Sequence, residues 1–477
     1  MQFNSLIFGL FFTAVFVGYW SIRGPRRQWQ NLWLLAANCL FYWWWDWRFL
    51  SLILGAALTD FAVGLKLEGA QRTASRRAWL ALSLLVNLGL LGFFKYFQFF
   101  SESLSGVLHA LGMRADFPTV RMILPLGISF YTFQRLSYTL DLYRKQIPAT
   151  RDLLSFLAFS SFFPLIVAGP IERARRLLPQ FERQRHFDPE IAKDGLRQVL
   201  WGLFRKIVIA DNLVGPVDVA FRDYATMSGI DLGVGAFLYA IQVYVDFSAY
   251  SDIAMGVGKL LGFVIVRNFA YPYFSRDIGE FWRRWHVSMS SWFRDYVYTP
   301  LSMQVSLADR WRRMLNVLIT FAVSGLWHGA NWTFVTWGLL HGLFFAPSIL
   351  GKAPVRESRM VAEGKLLPSP SDALRMAVTF LFVMLAWVFF RADSLPHAFG
   401  YLLALASHSW LAVPRFTAQA VCCVALLAVE WLRRDRVHAL QRMAIPVAAR
   451  WGLYVTMLLT ILVLGNFGGW QFAYAIF

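Results

Sequence analysis

The chain has 477 residues, of which 57% are hydrophobic and 16% are charged, and it contains 44 Phe and 21 Trp. Soluble globular proteins carry about 25% charged residues, so this composition excludes an ordinary soluble domain. The formal net charge of +18 comes from basic residues in short segments between apolar runs. That distribution is typical of the positive-inside pattern of membrane proteins, so we expect lipid and no nucleic acid as a partner.

Apolar runs follow one another along the chain. A helix needs about 20 mostly apolar residues to cross a bilayer, and the runs suffice for roughly nine to twelve crossings. The first run, Phe3–Trp20, has no basic segment before it and no small-residue cleavage pattern after it, so we expect a retained transmembrane helix. The sequence therefore predicts an all-α polytopic membrane protein.

The domain organisation follows from one long polar stretch. Residues 352–375 are rich in charge, Ser and Pro, which is typical of a flexible loop. We predict one integral-membrane domain over residues 1–477, with a core over 1–350 and C-terminal helices over 376–477. The three cysteines, Cys39, Cys422 and Cys423, have no metal-ligand spacing, so no metal site is predicted.

Two carboxylates interrupt the apolar segment Tyr244–Gly256, "YVDFSAYSDIAMG". Asp246 and Asp252 would be costly in hydrocarbon unless they find donors. They are either paired struts of the fold or polar groups of a site, and the sequence leaves both readings open.

Aromatic and basic residues alternate over Tyr271–Leu301, "YPYFSRDIGEFWRRWHVSMSSWFRDYVYTPL". This segment is too polar to cross lipid and too aromatic for a solvated loop, so it predicts a re-entrant or interfacial element. Its arginines are suited to phosphate groups of a nucleotide-like ligand and equally to lipid headgroups. The residues of interest are His286, Tyr298, Arg283, Arg284 and Arg294.

The segment Ser324–Gly342, "SGLWHGANWTFVTWGLLHG", places His328 and His341 among tryptophans and glycines. A single histidine in a membrane helix often only bonds a neighbouring helix. Two of them near a basic segment favour a site, and histidine is well suited to remove a proton near neutral pH. We expect Gly325 and Gly329 to leave room for a substrate to pass.

These segments resemble the membrane-bound O-acyltransferase family, in the bacterial branch that acetylates polysaccharides. The resemblance also rests on "LPLGISFYTFQRLSYTLDLYR" (Leu124–Arg144) and "FFPLIVAGPIERA" (Phe162–Ala174), which occur in the family's order and spacing. One departure follows "YTPL", where the branch usually has a glycine pair and this chain has "SMQVSLADRW". Donor or partner contacts of that loop are therefore expected to differ.

The resemblance implies a ring of transmembrane helices around a central channel, with re-entrant or interfacial helices. It implies that His328 is the catalytic residue and that His286 lines the same channel. The positions assigned supporting roles are Asp246, Trp327, Asn331 and Tyr298, and those assigned to donor binding are Arg283, Arg284 and Arg294.

The expected reaction is O-acetyl transfer from cytoplasmic acetyl-CoA across the inner membrane, with His328 as general base and no bound cofactor. The acceptor is an exopolysaccharide of the alginate type or a periplasmic partner acetyltransferase. His286 would polarise the carbonyl, orient His328 or bind the acceptor. Alternatives are acetylation of cellulose or peptidoglycan, D-alanyl transfer to teichoic acid and, in another class, a non-catalytic transporter or channel.

Overall fold

A computed structural model of the chain describes residues 1–22, 26–113, 123–306, 308–351 and 360–467. All the regular structure in these ranges is helical, which confirms the predicted all-α class. The α-helices in chain order are α1 Leu6–Ser21, α2 Arg26–Gly69, α3 Thr73–Leu91, α4 Phe97–Ala110, α5 Ile128–Tyr143, α6 Leu153–Ser160, α7 Phe163–Ile166, α8 Ala174–Phe181, α9 Pro189–Phe204, α10 Asp211–Arg222, α11 Gly229–Leu260, α12 Ile278–Arg284, α13 Val287–Phe293, α14 Thr299–Ser302, α15 Arg310–His328, α16 Trp332–Phe344, α17 Ala346–Leu350, α18 Pro370–Arg391, α19 Leu395–Ser407, α20 Thr417–Leu432 and α21 Val447–Leu464.

Six helical segments among the described residues are long and apolar enough to cross a bilayer. One of them, Arg27–Gly69, lies within the 44-residue helix α2, whose backbone is non-helical at Asp46 (φ −164°, ψ 113°). This break divides α2 into two parts of about 20 residues, and each part reaches about 30 Å, the thickness of a hydrocarbon core. The chain is a multi-pass membrane protein, while the number of crossings stays a prediction.

The chain divides into two compact units. The N-terminal unit comprises Met1–Leu196 and Ala254–Val266, and the C-terminal unit comprises Arg197–Ile253 and Arg267–Phe477. Of the predicted polar loop over 352–375, residues 352–359 lie outside the described residues. Helix α18 begins within that predicted loop, at Pro370.

A buried polar network joins three helices of the N-terminal unit. Asp60 of α2 accepts hydrogen bonds from Ser83 Oγ at 2.6 Å and from Asn87 Nδ2 at 2.9 Å, both from α3. Arg135 of α5 lies 3.6 Å from the same carboxylate, and both charged side chains are fully buried. These contacts to one carboxylate hold the three helices in register. Removing one partner would be costly, because it would leave a buried charge uncompensated.

A second buried network lies in the C-terminal unit around Arg205, which begins a π-helical turn, Arg205–Ala210. Arg205 forms ion pairs with Asp252 of α11 and with Glu430 of α20, the latter at 3.1 Å. Tyr244 donates a hydrogen bond to the other oxygen of Glu430 at 2.9 Å. These contacts attach α20 to the core of the unit.

Glycines allow α15 and α16 to pack in direct backbone contact. A Cβ atom on Gly325 would lie 2.2 Å from the carbonyl oxygen of Phe334, and one on Gly338 would lie 2.2 Å from that of Phe321. A Cβ atom on Gly329 would lie 2.1 Å from the Phe334 ring. The expectation that Gly325 and Gly329 leave room for a substrate is therefore wrong, because Phe334 fills that space and the glycines serve close helix packing.

Candidate active site

His328 is the last residue of α15 and is 2% exposed. Aromatic rings surround it, with centroid distances of 4.9 Å to Trp327, 5.0 Å to Trp337 and 5.3 Å to Phe390, all edge to face. Trp337 comes from α16 and Phe390 from α18. Three helices thus build a largely apolar environment around one imidazole.

His286 lies between α12 and α13 in the left-handed backbone region, with φ 41° and ψ 53°. This conformation is unfavourable for a residue other than glycine, so surrounding contacts must hold it. The ring is fully buried, its Nδ1 lies 3.0 Å from Asn268 Oδ1, and it meets Phe247 edge to face at 4.6 Å. Burial lowers the pKa of His286 to about 3, so its imidazole is neutral at physiological pH.

The structure brings the two predicted histidines together. The ring centroids of His286 and His328 are 6.4 Å apart, and Trp327 contacts both rings, at 6.0 Å and 4.9 Å respectively. A third histidine, His341, is buried and also contacts Trp337, at a centroid distance of 4.9 Å. We refer to His286 and His328 as the histidine pair.

A cavity of about 620 Å³ is lined by residues close in sequence to both members of this pair. Three predicted residues line it, namely Arg283, Arg294 and Tyr298. It is also lined by Val287, which follows His286 in the chain, and by Ser324, which lies one helical turn before His328 on α15. The cavity lining therefore includes two arginines, the residue next to His286 and a residue one helical turn before His328.

The third predicted donor-binding residue has a different environment. Arg284 Nη2 lies 2.6 Å from Glu280 Oε1, and Arg276 Nε lies 3.0 Å from Glu280 Oε2. Arg284 is not among the residues that line the cavity. The structure thus separates Arg284, in an ion-pair network, from Arg283 and Arg294.

Two predicted supporting residues have partners that account for them within the fold. Asp246 Oδ1 lies 2.6 Å from Lys206 Nζ, and Lys206 also pairs with Asp211 at 2.6 Å. Asn331 caps the N-terminus of α16, where its Oδ1 accepts from Thr333 N at 3.0 Å, and its Nδ2 donates to the Asp393 carbonyl at 3.1 Å. The catalytic and binding roles of all these residues stay predictions.

Sequence reasoning missed Asn268, which contacts His286 directly. The residue lies 18 positions before His286, in the loop after α11, and an isolated asparagine in a loop is an ordinary turn signal. Only the folded loop, in which Val287 N donates to the Asn268 carbonyl at 2.9 Å, brings the two together.

Comparison with known proteins identifies the family to which this arrangement belongs. The model of the membrane-bound O-acyltransferase family matches residues 39–385, a range that includes both histidines and the lining of the cavity. The chain belongs to the membrane-bound O-acyltransferase family. It is an O-acyltransferase of a membrane, as the resemblance implied.

The similar proteins carry names that refer to three different polymers, namely alginate, peptidoglycan and teichoic acid. The chain is 39% identical to a probable alginate O-acetylase (AlgI) of Azotobacter vinelandii over 408 residues, which cover 85% of the chain and 78% of that protein. It is 32% identical to the peptidoglycan O-acetyltransferase of Helicobacter pylori, over an alignment that covers 98% of the chain and 90% of that protein. It is also 30% identical to the teichoic acid D-alanyltransferase of Streptococcus thermophilus, over an alignment that covers 56% of the chain and 68% of that protein.

Proposed function

We propose that this protein transfers an acetyl group from cytoplasmic acetyl-CoA to a hydroxyl group on an exopolysaccharide of the alginate type, directly or through a periplasmic partner acetyltransferase. The reaction takes place at the histidine pair in the inner membrane, with His328 as general base. The proposal is carried by the cavity, which has arginines among its lining residues and also reaches the neighbours of both histidines.

The donor is held at the arginines. Arg283 and Arg294 are exposed and line the cavity, and guanidinium groups are suited to charge-assisted hydrogen bonds to the phosphates of acetyl-CoA. Arg294 Nε also pairs with Asp295 Oδ1 at 2.8 Å. A volume of about 620 Å³ is within the usual range for a small-molecule site. The thioester would extend past Tyr298 and Ser324 toward His328.

The transfer then needs one proton acceptor. His328 removes the proton from the acceptor hydroxyl as its oxygen attacks the thioester carbonyl carbon. The new C–O bond forms, the C–S bond breaks, and the proton passes from His328 to the leaving thiolate. The products are the acetyl ester and coenzyme A, and His328 is neutral again.

The relatives support two acceptors. The alginate O-acetylases support an exopolysaccharide. Peptidoglycan is the second candidate, because the peptidoglycan O-acetyltransferase of Helicobacter pylori aligns with 98% of the chain and with 90% of its own length. Family membership favours both over a transporter that makes no covalent bond.

The test is to delete the gene and to measure ester-linked acetyl groups in the purified exopolysaccharide and in the purified peptidoglycan. We expect the exopolysaccharide to lose its acetyl esters and to regain them with the wild-type gene, but not with His328→Ala at equal protein abundance. Loss from peptidoglycan alone would select the second candidate over the first. Restoration by His328→Ala, or unchanged acetylation of both polymers, would overturn the proposal.

A further inference from the structure

The contacts of Asn268 determine which nitrogen of His286 carries the proton. Asn268 Oδ1 lies 3.2 Å from Ser288 N and 2.8 Å from Ser288 Oγ. A backbone N–H group only donates, so the atom it faces is the amide oxygen and not the amide nitrogen. The same oxygen lies 3.0 Å from His286 Nδ1. Ser288 Oγ also lies 3.5 Å from Nδ1, but its one proton goes to Asn268 Oδ1 at 2.8 Å. Since an amide oxygen only accepts, Nδ1 is the donor in the contact with Asn268.

The amide of Asn268 is itself held in this orientation. Its Nδ2 donates to Ser251 Oγ of α11 at 3.2 Å, and its backbone carbonyl accepts from Val287 N at 2.9 Å. The residue is fully buried. Turning the amide over would present its N–H groups to the Ser288 N–H, which would leave buried donors unsatisfied.

A proton on Nδ1 restricts what His286 does in the reaction. In a neutral imidazole the other nitrogen, Nε2, then has the lone pair and only accepts hydrogen bonds. His286 in this form therefore cannot donate to the carbonyl oxygen of the thioester. It also cannot orient His328 directly, because centroids 6.4 Å apart keep the ring nitrogens beyond the limit of about 3.2 Å for a hydrogen bond. Of the three roles considered for His286, binding of the acceptor is left.

We infer that Asn268 is a positioning residue that fixes His286 as a hydrogen-bond acceptor for the acceptor substrate. This inference rests on the proposed function and specifies the substrate that His286 serves. The reacting hydroxyl gives its proton to His328. A second O–H or N–H group beside it donates to His286 Nε2, as the neighbouring hydroxyl of a sugar ring would. The acceptor must therefore carry two adjacent donors.

The tautomer is measured directly by ¹⁵N NMR on the full-length wild-type protein in detergent, with its imidazole nitrogens labelled. The His286 signals are identified by their loss in His286→Gln. We expect Nδ1 of His286 to be protonated and Nε2 to be unprotonated at neutral pH. A protonated Nε2 would overturn the inference, and this measurement needs neither a known acceptor nor a variant of Asn268.

The role is measured with two variants and one matched control. Asn268→Asp keeps an oxygen opposite Nδ1, whereas Asn268→Leu removes it. Loss of the outer partner that orients a metal-ligating histidine typically costs about 10- to 100-fold, and we expect the same range for a histidine that orients a substrate. We expect Asn268→Leu to lower exopolysaccharide acetylation per mole of folded protein by about that factor and Asn268→Asp to restore it. Equal rates for Asn268→Leu and wild type would overturn the inference.

The control is Asn38→Leu in the N-terminal unit. Asn38 is also fully buried, donates to Ala158 O and Ser161 Oγ, and accepts from Phe163 N. We expect this variant to lower abundance without changing the rate per mole of folded protein. The two proposals fail separately. Activity in His328→Ala contradicts the proposed function, whereas a dead His328→Ala with a fully active Asn268→Leu contradicts only the inference about Asn268.

Discussion

Two of the buried polar regions in the C-terminal unit differ in charge. The ionic cluster consists of two cations and four carboxylates, Arg205, Lys206, Asp211, Asp246, Asp252 and Glu430. The histidine pair instead lies among aromatic rings, and the polar groups beside His286 Nδ1 are neutral, namely the amide of Asn268 and the hydroxyl of Ser288. In the ionic cluster, every carboxylate lies against a cation, and each of the two cations pairs with two carboxylates. Charge inside an apolar segment therefore does not by itself identify the reaction site.

The largest expected effect separates the two regions by activity. His328→Ala removes the proposed general base and should lower the acetyl-transfer rate per mole of folded protein by about 10²- to 10⁴-fold, with abundance unchanged. The control is His397→Ala, because His397 Nε2 lies 2.9 Å from the Phe221 carbonyl on α10, and none of its recorded contacts is with the pair. A rate for His328→Ala within a few-fold of wild type would remove the distinction.

The next effect should appear in stability. Arg205→Met leaves Asp252 and Glu430 without their cation, and such a buried break costs about 3–5 kcal/mol. We expect a lower unfolding temperature in detergent and lower abundance. The double variant Arg205→Met/Glu430→Leu should recover part of the loss, since one carboxylate goes with its partner. Normal stability with lost activity would place the ionic cluster in the reaction.

A packing change close to His328 should lower the stability of the protein, as a change in the ionic cluster does. Gly325→Ala forces a Cβ atom against the Phe334 carbonyl, and overpacking of this kind costs about 1–3 kcal/mol. The matched control is Gly452→Ala in α21, where a Cβ atom meets nothing within 4 Å. We expect reduced thermal stability for Gly325→Ala alone. If Gly325→Ala instead kept its stability and lost only activity, the space beside Gly325 would belong to the substrate.

The smallest effect concerns the donor. Removing the charges of Arg283 and Arg294 together, as Gln, should raise the KM for acetyl-CoA about tenfold with little change in kcat, because phosphate contacts bind ground state and transition state alike. Arg222→Gln is the control, since Arg222 is exposed and pairs with Asp223. A KM that stays constant while kcat falls would show that these arginines act on the chemical step.

The fold class was predictable from the sequence because a membrane span is a local property of about 20 residues. The histidines were predictable because their motifs are contiguous, as in "LWHG" around His328. The partners of Asp246 and Arg205 were not, since Lys206 lies on a different element from Asp246 and Glu430 lies 225 residues from Arg205. The packing role of Gly325 could not be predicted either, because it depends on where Phe334 lies once α15 and α16 have packed together.

The most direct test is the acetyl-transfer rate per mole of folded Asp246→Asn protein, measured beside His328→Ala in the same membranes with labelled acetyl-CoA. Asp246 belongs to the ionic cluster. When the charge of Asp246 is removed, Lys206 still pairs with Asp211. We expect a rate for Asp246→Asn within about tenfold of wild type and a loss of at least about 100-fold for His328→Ala. An active His328→Ala beside an inactive, fully folded Asp246→Asn would contradict it.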